Sequence, residues 1–125
     1  MTSQEVLQRL AWETDAETGS NRPRSPVPSS DEELARHLAQ GAGDLLVALR
    51  KTPAEPAQLR KMGDLQSHHW LVNQLAALAP GDAVLSEEGA DDPARLAATR
   101  VWIVDPLDGT REYGEPGRTD WAVHV

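Results

Sequence analysis

The chain contains no cysteine, which excludes disulfides and thiolate metal sites but leaves the compartment open. No apolar run approaches the roughly 20 residues that a membrane-spanning helix needs. The amino terminus lacks a basic start followed by an apolar core, so no secretory signal is expected and the location reads as cytoplasmic. Basic residues are outnumbered, 12 Lys and Arg against 20 Asp and Glu, for a formal net charge of −8. That balance argues against a nucleic-acid polymer as partner. It does not exclude a small phosphorylated ligand, because bound cations invert the field locally. Aromatic residues are only 4%, and none interleave with basic residues as a base-stacking surface would require. Trp70, Trp102 and Trp121 are therefore expected in the core. There is no internal repeat, and the length suits one small domain at most.

What is present is concentrated in residues 101–113, Val-Trp-Ile-Val-Asp-Pro-Leu-Asp-Gly-Thr-Arg-Glu-Tyr. An apolar run predicts a buried strand over 101–104 that delivers Asp105 to its carboxyl end. Pro106 stiffens the turn, and Asp108 comes round to the same side. Oxygen donors of this kind, backbone carbonyls included, suit hard divalent cations. Gly109 lets the main chain approach a ligand closely. If Thr110 opens a helix, its free N–H groups suit a phosphate. Asp-Pro and Asp-Gly are also ordinary turn signals, so the motif gains its weight from its surroundings.

A second acidic cluster supplies that weight. Ala83-Val84-Leu85-Ser86 reads as a short strand, and Glu87-Glu88-Gly89 follows. Ligands of open α/β sheets gather at the carboxyl ends of strands. Neighbouring strands would bring Glu87, Asp105 and Asp108 together, and a bound Mg²⁺ would relieve their repulsion. Glu88 reads as a surface carboxylate. Asp64 follows Met62-Gly63 where a helix is expected to begin; Asp is a favoured N-cap, and a cap placed there could also orient a threonine hydroxyl.

Together, Asp64, Ser86-Glu87-Glu88 and Asp105-Pro-Leu-Asp-Gly-Thr110 resemble the inositol monophosphatase family of Mg²⁺-dependent, lithium-sensitive phosphatases. The spacing of 23 residues from Asp64 to Glu87 agrees with it. Asp-Pro-Leu-Asp-Gly-Thr-Arg-Glu-Tyr is more similar to the CysQ branch, the 3'(2'),5'-bisphosphate nucleotidases of sulfur assimilation. The lead-in Arg-Val-Trp-Ile-Val-Asp and the later Pro-Gly-Arg-Thr-Asp-Trp-Ala-Val-His-Val agree with that branch, and the resemblance covers about residues 31–125. It implies an α/β (α+β) chain forming the amino-terminal half of the layered αβαβα inositol monophosphatase/fructose-bisphosphatase-like fold.

The resemblance also implies roles. Glu87 and Asp105 would ligate a first Mg²⁺ with the Leu107 carbonyl. Asp105 would bridge to a second ion held by Asp108. Gly109 and Thr110 N–H groups would bind the substrate phosphate, and the Thr110 hydroxyl, oriented by Asp64, would position the attacking water. The implied substrate is a small phosphate monoester, foremost adenosine 3',5'-bisphosphate cleaved at its 3'-phosphate. The alternatives are an inositol-phosphate or sugar-phosphate phosphatase, or a non-catalytic metal-binding fragment acting with a partner chain. A homodimer is possible for the complete protein. The family's Trp-Asp motif, which completes the second metal site, has no counterpart here; Asp120 precedes Trp121 in the wrong order and place. The chain therefore reads as an amino-terminal fragment, inactive alone.

Along the chain, residues 1–29 read as a disordered tail rich in Pro, Ser and acidic residues, with Val6, Leu7, Leu10, Ala11 and Trp12 enough for one transient helical turn. Residues 30–125 read as the folded part. Ser30-x-x-Glu33 is a capping-box pattern. Leu34, Leu38, Ala42, Leu45 and Leu49 predict an amphipathic helix to about Arg50. Gly41 and Gly43 weaken it or let another element pack close, and His37 is expected in solvent. Residues 52–62 read as a loop, where the family usually has a β-hairpin. A second helix is expected over 64–79, burying Leu65, His69, Val72, Leu75, Ala76 and Ala79, with Pro80-Gly81 as its stop. His68 and His69 point to different faces and cannot chelate one ion, so both read as structural or surface residues. Asp92-Pro93 opens a short helix through Thr99, and residues 121–125 read as a strand.

Overall fold

The computed structural model describes residues 12–14, 21–23, 30–90 and 92–125. The chain divides into two compact units, residues 1–34 and 35–125. In the first, strand β1 (Trp12–Thr14) pairs antiparallel with β2 (Asn21–Pro23), Glu13 opposite Arg22. The remainder of the expected tail, including Val6, Leu7, Leu10 and Ala11, lies outside the described residues.

Helix α1 runs Asp31–Arg50. Ser30 caps it: the Glu33 N–H donates to Ser30 Oγ at 3.1 Å, and the Leu34 N–H to the Ser30 carbonyl at 3.0 Å. Acidic Asp31, Glu32 and Glu33 in the first turn and Arg50 in the last complement the helix dipole. The buried stripe is Leu34, Leu38, Ala42, Leu46 and Leu49. Leu46 takes the place expected of Leu45, which is only half-buried, and His37 is half-buried rather than in solvent.

Helix α2 runs Pro56–Leu78, two turns earlier than the sequence reading placed it. The expected loop over 52–62 shrinks to the short connection before Pro56, which takes the first-turn position where a missing N–H costs nothing. From there to Met62 the residues are good helix formers. Gly63 is tolerated because it is a contact point: a Cβ there would come within 2.7 Å of Tyr113 Cε1 and 3.0 Å of Leu107 Cδ2. Asp64 therefore sits inside the helix and is not its cap. The buried face is also phased differently, comprising Leu59, Gly63, Ser67, Trp70, Leu71, Gln74 and Leu75. Leu65, His69 and Ala76 are exposed, and Val72 and Ala79 half-buried. A stripe containing Gly, Ser and Gln is invisible to a count of apolar residues alone.

The sheet has the order β3-β4-β5. β3 (Ala83–Ser86) runs parallel to β4 (Val101–Asp108), and β5 (Ala122–His124) antiparallel to it. Between β3 and β4 lies a 3₁₀ turn, Pro93–Ala97, shorter than the expected helix, with Asp92 Oδ1 accepting the Ala94 N–H at 2.9 Å. β4 extends past the expected end at Val104. Its alternation, with Trp102 and Val104 buried and Val101 and Ile103 exposed, breaks at Pro106 and Leu107, which are both buried. A register irregularity lies between Asp105 and Asp108. Pro106 cannot donate to the ladder, and a bulge absorbs it. The bulge turns Leu107 inward and leaves the two aspartates outside.

Helix α3 (Thr110–Gly114) follows. The core joins α1, α2, β4 and α3 through Leu46, Leu49, Leu59, Leu107 and Tyr113. Tyr113 is fully buried, donates to the Leu46 carbonyl at 2.8 Å and meets Trp121 edge-on at 5.1 Å between ring centroids. Trp70 and Trp102 are buried as expected, whereas Trp121 is half-buried. The described helices include none long and apolar enough to cross a membrane.

Candidate active site

Two turns bear the residues that the sequence reading placed at the site, and α2 contacts both. The first is the elbow from β4 into α3. Gly109 occupies it with φ +81°, and a Cβ there would approach the Asp120 carbonyl oxygen to 2.9 Å and Trp121 Cα to 3.2 Å. Both the left-handed backbone and the close chain call for glycine. The next residue, Thr110, directs its hydroxyl back to α2: Thr110 Oγ1 lies 3.0 Å from Asp64 Oδ1 and 3.2 Å from the Leu107 carbonyl. A buried hydrogen bond from Ser67 Oγ to the Pro106 carbonyl, 2.7 Å, fixes the bulge to the same helix.

The second turn leaves β3. The Glu87 N–H donates to the Val104 carbonyl at 3.3 Å, and the Gly89 N–H to the Ser86 carbonyl at 3.2 Å. His68 Nδ1 lies 2.8 Å from Ser86 Oγ, with the donor set by the imidazole tautomer. Burial, aided by neighbouring His69, pushes His68 below its ordinary 6.5. The sequence reading quoted Ser86 only within the Ser86-Glu87-Glu88 motif, read His68 as a structural or surface residue, and did not single out Ser67. The signal for Ser67 and His68 is position: they follow Asp64 by three and four residues, on the same ridge of a helix.

Electrostatics tie the two turns together. Burial raises the Asp64 carboxyl above its ordinary value, with the Asp105 charge adding and the Thr110 hydrogen bond opposing. Glu88, although exposed, is raised by burial and then by the charges of Asp64, Asp105 and Glu87. Glu88 is the exposed carboxylate that the sequence reading expected, and it lies in the field of its acidic neighbours.

Glu87, Asp105 and Asp108 do not close into one cage. Among the described residues no group of three or more His, Asp or Glu side chains is arranged to hold a metal ion. Asp105 Oδ1 accepts the Leu107 N–H at 3.3 Å, and exposed Asp108 faces His124 Nε2 at 3.1 Å. The donor chemistry nonetheless fits a hard divalent ion: every carboxylate here is an oxygen donor, and their mutual repulsion is what such an ion relieves.

Comparison with known proteins identifies the family. The profile of the inositol monophosphatase family matches residues 32–125. A protein of Mycobacterium leprae (strain TN) named 3'-phosphoadenosine 5'-phosphate phosphatase is 52% identical over 98 residues, 77% of this chain and 36% of that relative. A protein of the same name from Mycobacterium bovis (strain ATCC BAA-935 / AF2122/97) is 55% identical over 86 residues, 67% of this chain and 32% of the relative. An inositol-1-monophosphatase of Mycobacterium leprae is 40% identical over 89 residues, 67% of this chain and 28% of the relative. The chain thus spans about a third of the length of the relatives it matches. With a family profile spanning nearly all of α1 through β5, the chain belongs to the inositol monophosphatase family.

Proposed function

We propose that this chain carries the water-positioning and phosphate-binding part of a Mg²⁺-dependent phosphomonoesterase that removes the 3'-phosphate of adenosine 3',5'-bisphosphate. The observation that supports this reading most directly is the 3.0 Å hydrogen bond between Thr110 Oγ1 and Asp64 Oδ1. With its proton engaged by Asp64, the Thr110 oxygen is left with lone pairs to accept from an attacking water and hold it in line. The Gly109 and Thr110 N–H groups open α3, where an anionic oxygen is favoured. Glu87, Asp105, Asp108 and the Leu107 carbonyl are the groups that would hold the metal. When bound, magnesium would neutralise developing charge on the phosphate and make water a better nucleophile. Glu88 adds a carboxylate to the same field.

The names of the two mycobacterial phosphatases support adenosine 3',5'-bisphosphate over an inositol phosphate, since their identity to this chain is higher. The test combines the chain with the remaining length of the Mycobacterium leprae phosphatase, supplied as a second polypeptide. Phosphate release is followed with Mg²⁺ from adenosine 3',5'-bisphosphate and from inositol 1-phosphate. Faster release from the nucleotide is expected, with none from either half alone. Preference for inositol 1-phosphate overturns the substrate. Mg²⁺ binding without hydrolysis in any combination favours a non-catalytic metal-binding role.

A further inference from the structure

Asp64, Ser67 and His68 form one short ridge of α2 that reaches both turns of the site. Asp64 and Ser67 hold the β4–α3 elbow. His68 holds the other turn, the one that bears Glu87 and Glu88. That turn is closed by one main-chain bond, the Gly89 N–H to the Ser86 carbonyl at 3.2 Å. Its last ladder bond is the Glu87 N–H to the Val104 carbonyl. Beyond it the Glu88 N–H has Ser86 Oγ as acceptor, at 3.4 Å.

A serine hydroxyl rotates about one bond and fixes nothing unless it is itself fixed. Ser86 is buried, and His68 Nδ1 supplies the second contact at 2.8 Å. The imidazole also lies against the end of the turn, where a Cβ on Gly89 would stand 3.0 Å from His68 Cε1. We propose that His68 is a positioning residue: through the Ser86 hydroxyl it sets the main chain at Glu87–Glu88, so that both acidic turns are referred to the same helix. It touches no reacting atom. The consequence for metal affinity rests on the proposed function; the ordering of the turn does not.

The test uses the 125-residue chain, with amide hydrogen exchange at Glu88 and Gly89 and Mn²⁺ affinity by calorimetry. His68→Phe keeps a ring but removes the polar contact, and exchange should rise about fivefold, the loss expected for one hydrogen bond. His68→Asn keeps a polar atom on Cγ and should restore exchange to within about twofold. Ser86→Ala should match His68→Phe, and the double variant should be no worse than either. Mn²⁺ affinity should fall about tenfold in His68→Phe and Ser86→Ala and recover in His68→Asn, as for residues that orient ligands. Unchanged exchange in His68→Phe or Ser86→Ala overturns the proposal, as does an Asn variant as poor as Phe, which would reduce His68 to a packing ring. A wild-type chain that fails to bind Mn²⁺ defeats the metal reading, while exchange still decides the role of His68.

Discussion

Gly41 of α1 lies against the indole of Trp70 from α2, so closely that a Cβ would come within 2.1 Å of Cη2 and 2.7 Å of Cζ2. Trp70 is itself a buried core residue. Gly41→Ala should therefore destabilise the chain by about 1–3 kcal/mol, the usual cost of overpacking, although alanine is the better helix former. Gly43→Ala is the control, since nothing lies within 4 Å of its Cβ position; it should stabilise by about 0.5–1 kcal/mol. Urea titration of both variants gives the comparison, and a stabilised Gly41→Ala contradicts the contact.

Tyr113 anchors α3 by donating from its buried hydroxyl to the Leu46 carbonyl. Burial, partly offset by Arg50, pushes the phenol up to about 12, so it remains a donor throughout the ordinary pH range. Tyr113→Phe should cost about 1 kcal/mol and leave Trp121 in edge contact. Denaturant unfolding measures the loss, and near-UV circular dichroism reports whether the indole has moved.

Hydrolysis by the two-part enzyme should respond differently to the two turns. Thr110→Val removes the hydroxyl that faces Asp64 and should lower kcat at least about 100-fold, the contribution typical of a positioned proton-transfer group, with Mg²⁺ dependence little changed. Asp105→Asn should abolish the Mg²⁺-dependent reaction. Near-normal turnover by Asp105→Asn would remove it from the metal assignment.

Asp82 offers a pH test away from the site. The Trp102 indole N–H, 3.0 Å away, and then Arg100 hold its carboxyl below the usual 3.8. A carboxyl depressed in the folded state contributes its full stabilisation above 3.8 and loses it as pH falls through the lower folded value. Asp82→Asn keeps an acceptor for the indole but cannot titrate. The stability gap between wild type and variant should be widest near pH 6 and shrink below 3.8; a gap independent of pH removes the charge from the account.

Elements with one apolar period and a clear stop were legible in the sequence. Ser30 and the leucines of α1 show its start and face, and β3 ends at Ser86 where the apolar run ends. α2 was misread because its buried side contains Gly63, which allows close approach, Ser67, which hydrogen-bonds the Pro106 carbonyl, and Gln74, none of which registers in a count of apolar residues. Prolines at 53 and 56 suggested a loop where Pro56 instead begins a helix. The local chemistry of the elbow could be read from Asp105, Asp108 and Gly109 in order. That Asp64 could orient a threonine hydroxyl was raised from its local position, but the pairing with Thr110, 46 residues away, was named only through family resemblance. The roles of Ser67 and His68 depend on tertiary partners that no local pattern encodes.

The three contacts of α2 at Asp64, Ser67 and His68 make this stretch a ruler with fixed graduations. One inserted residue between Asp64 and His68 would turn every later side chain by about 100° around the helix axis. Ser86 would lose its histidine while Thr110 kept its aspartate, and the two turns would fall out of step. Length variation in descendants of this sequence should therefore collect in the connection before Pro56 or beyond Leu78, and the segment from Gly63 to Leu71 should evolve by substitution alone.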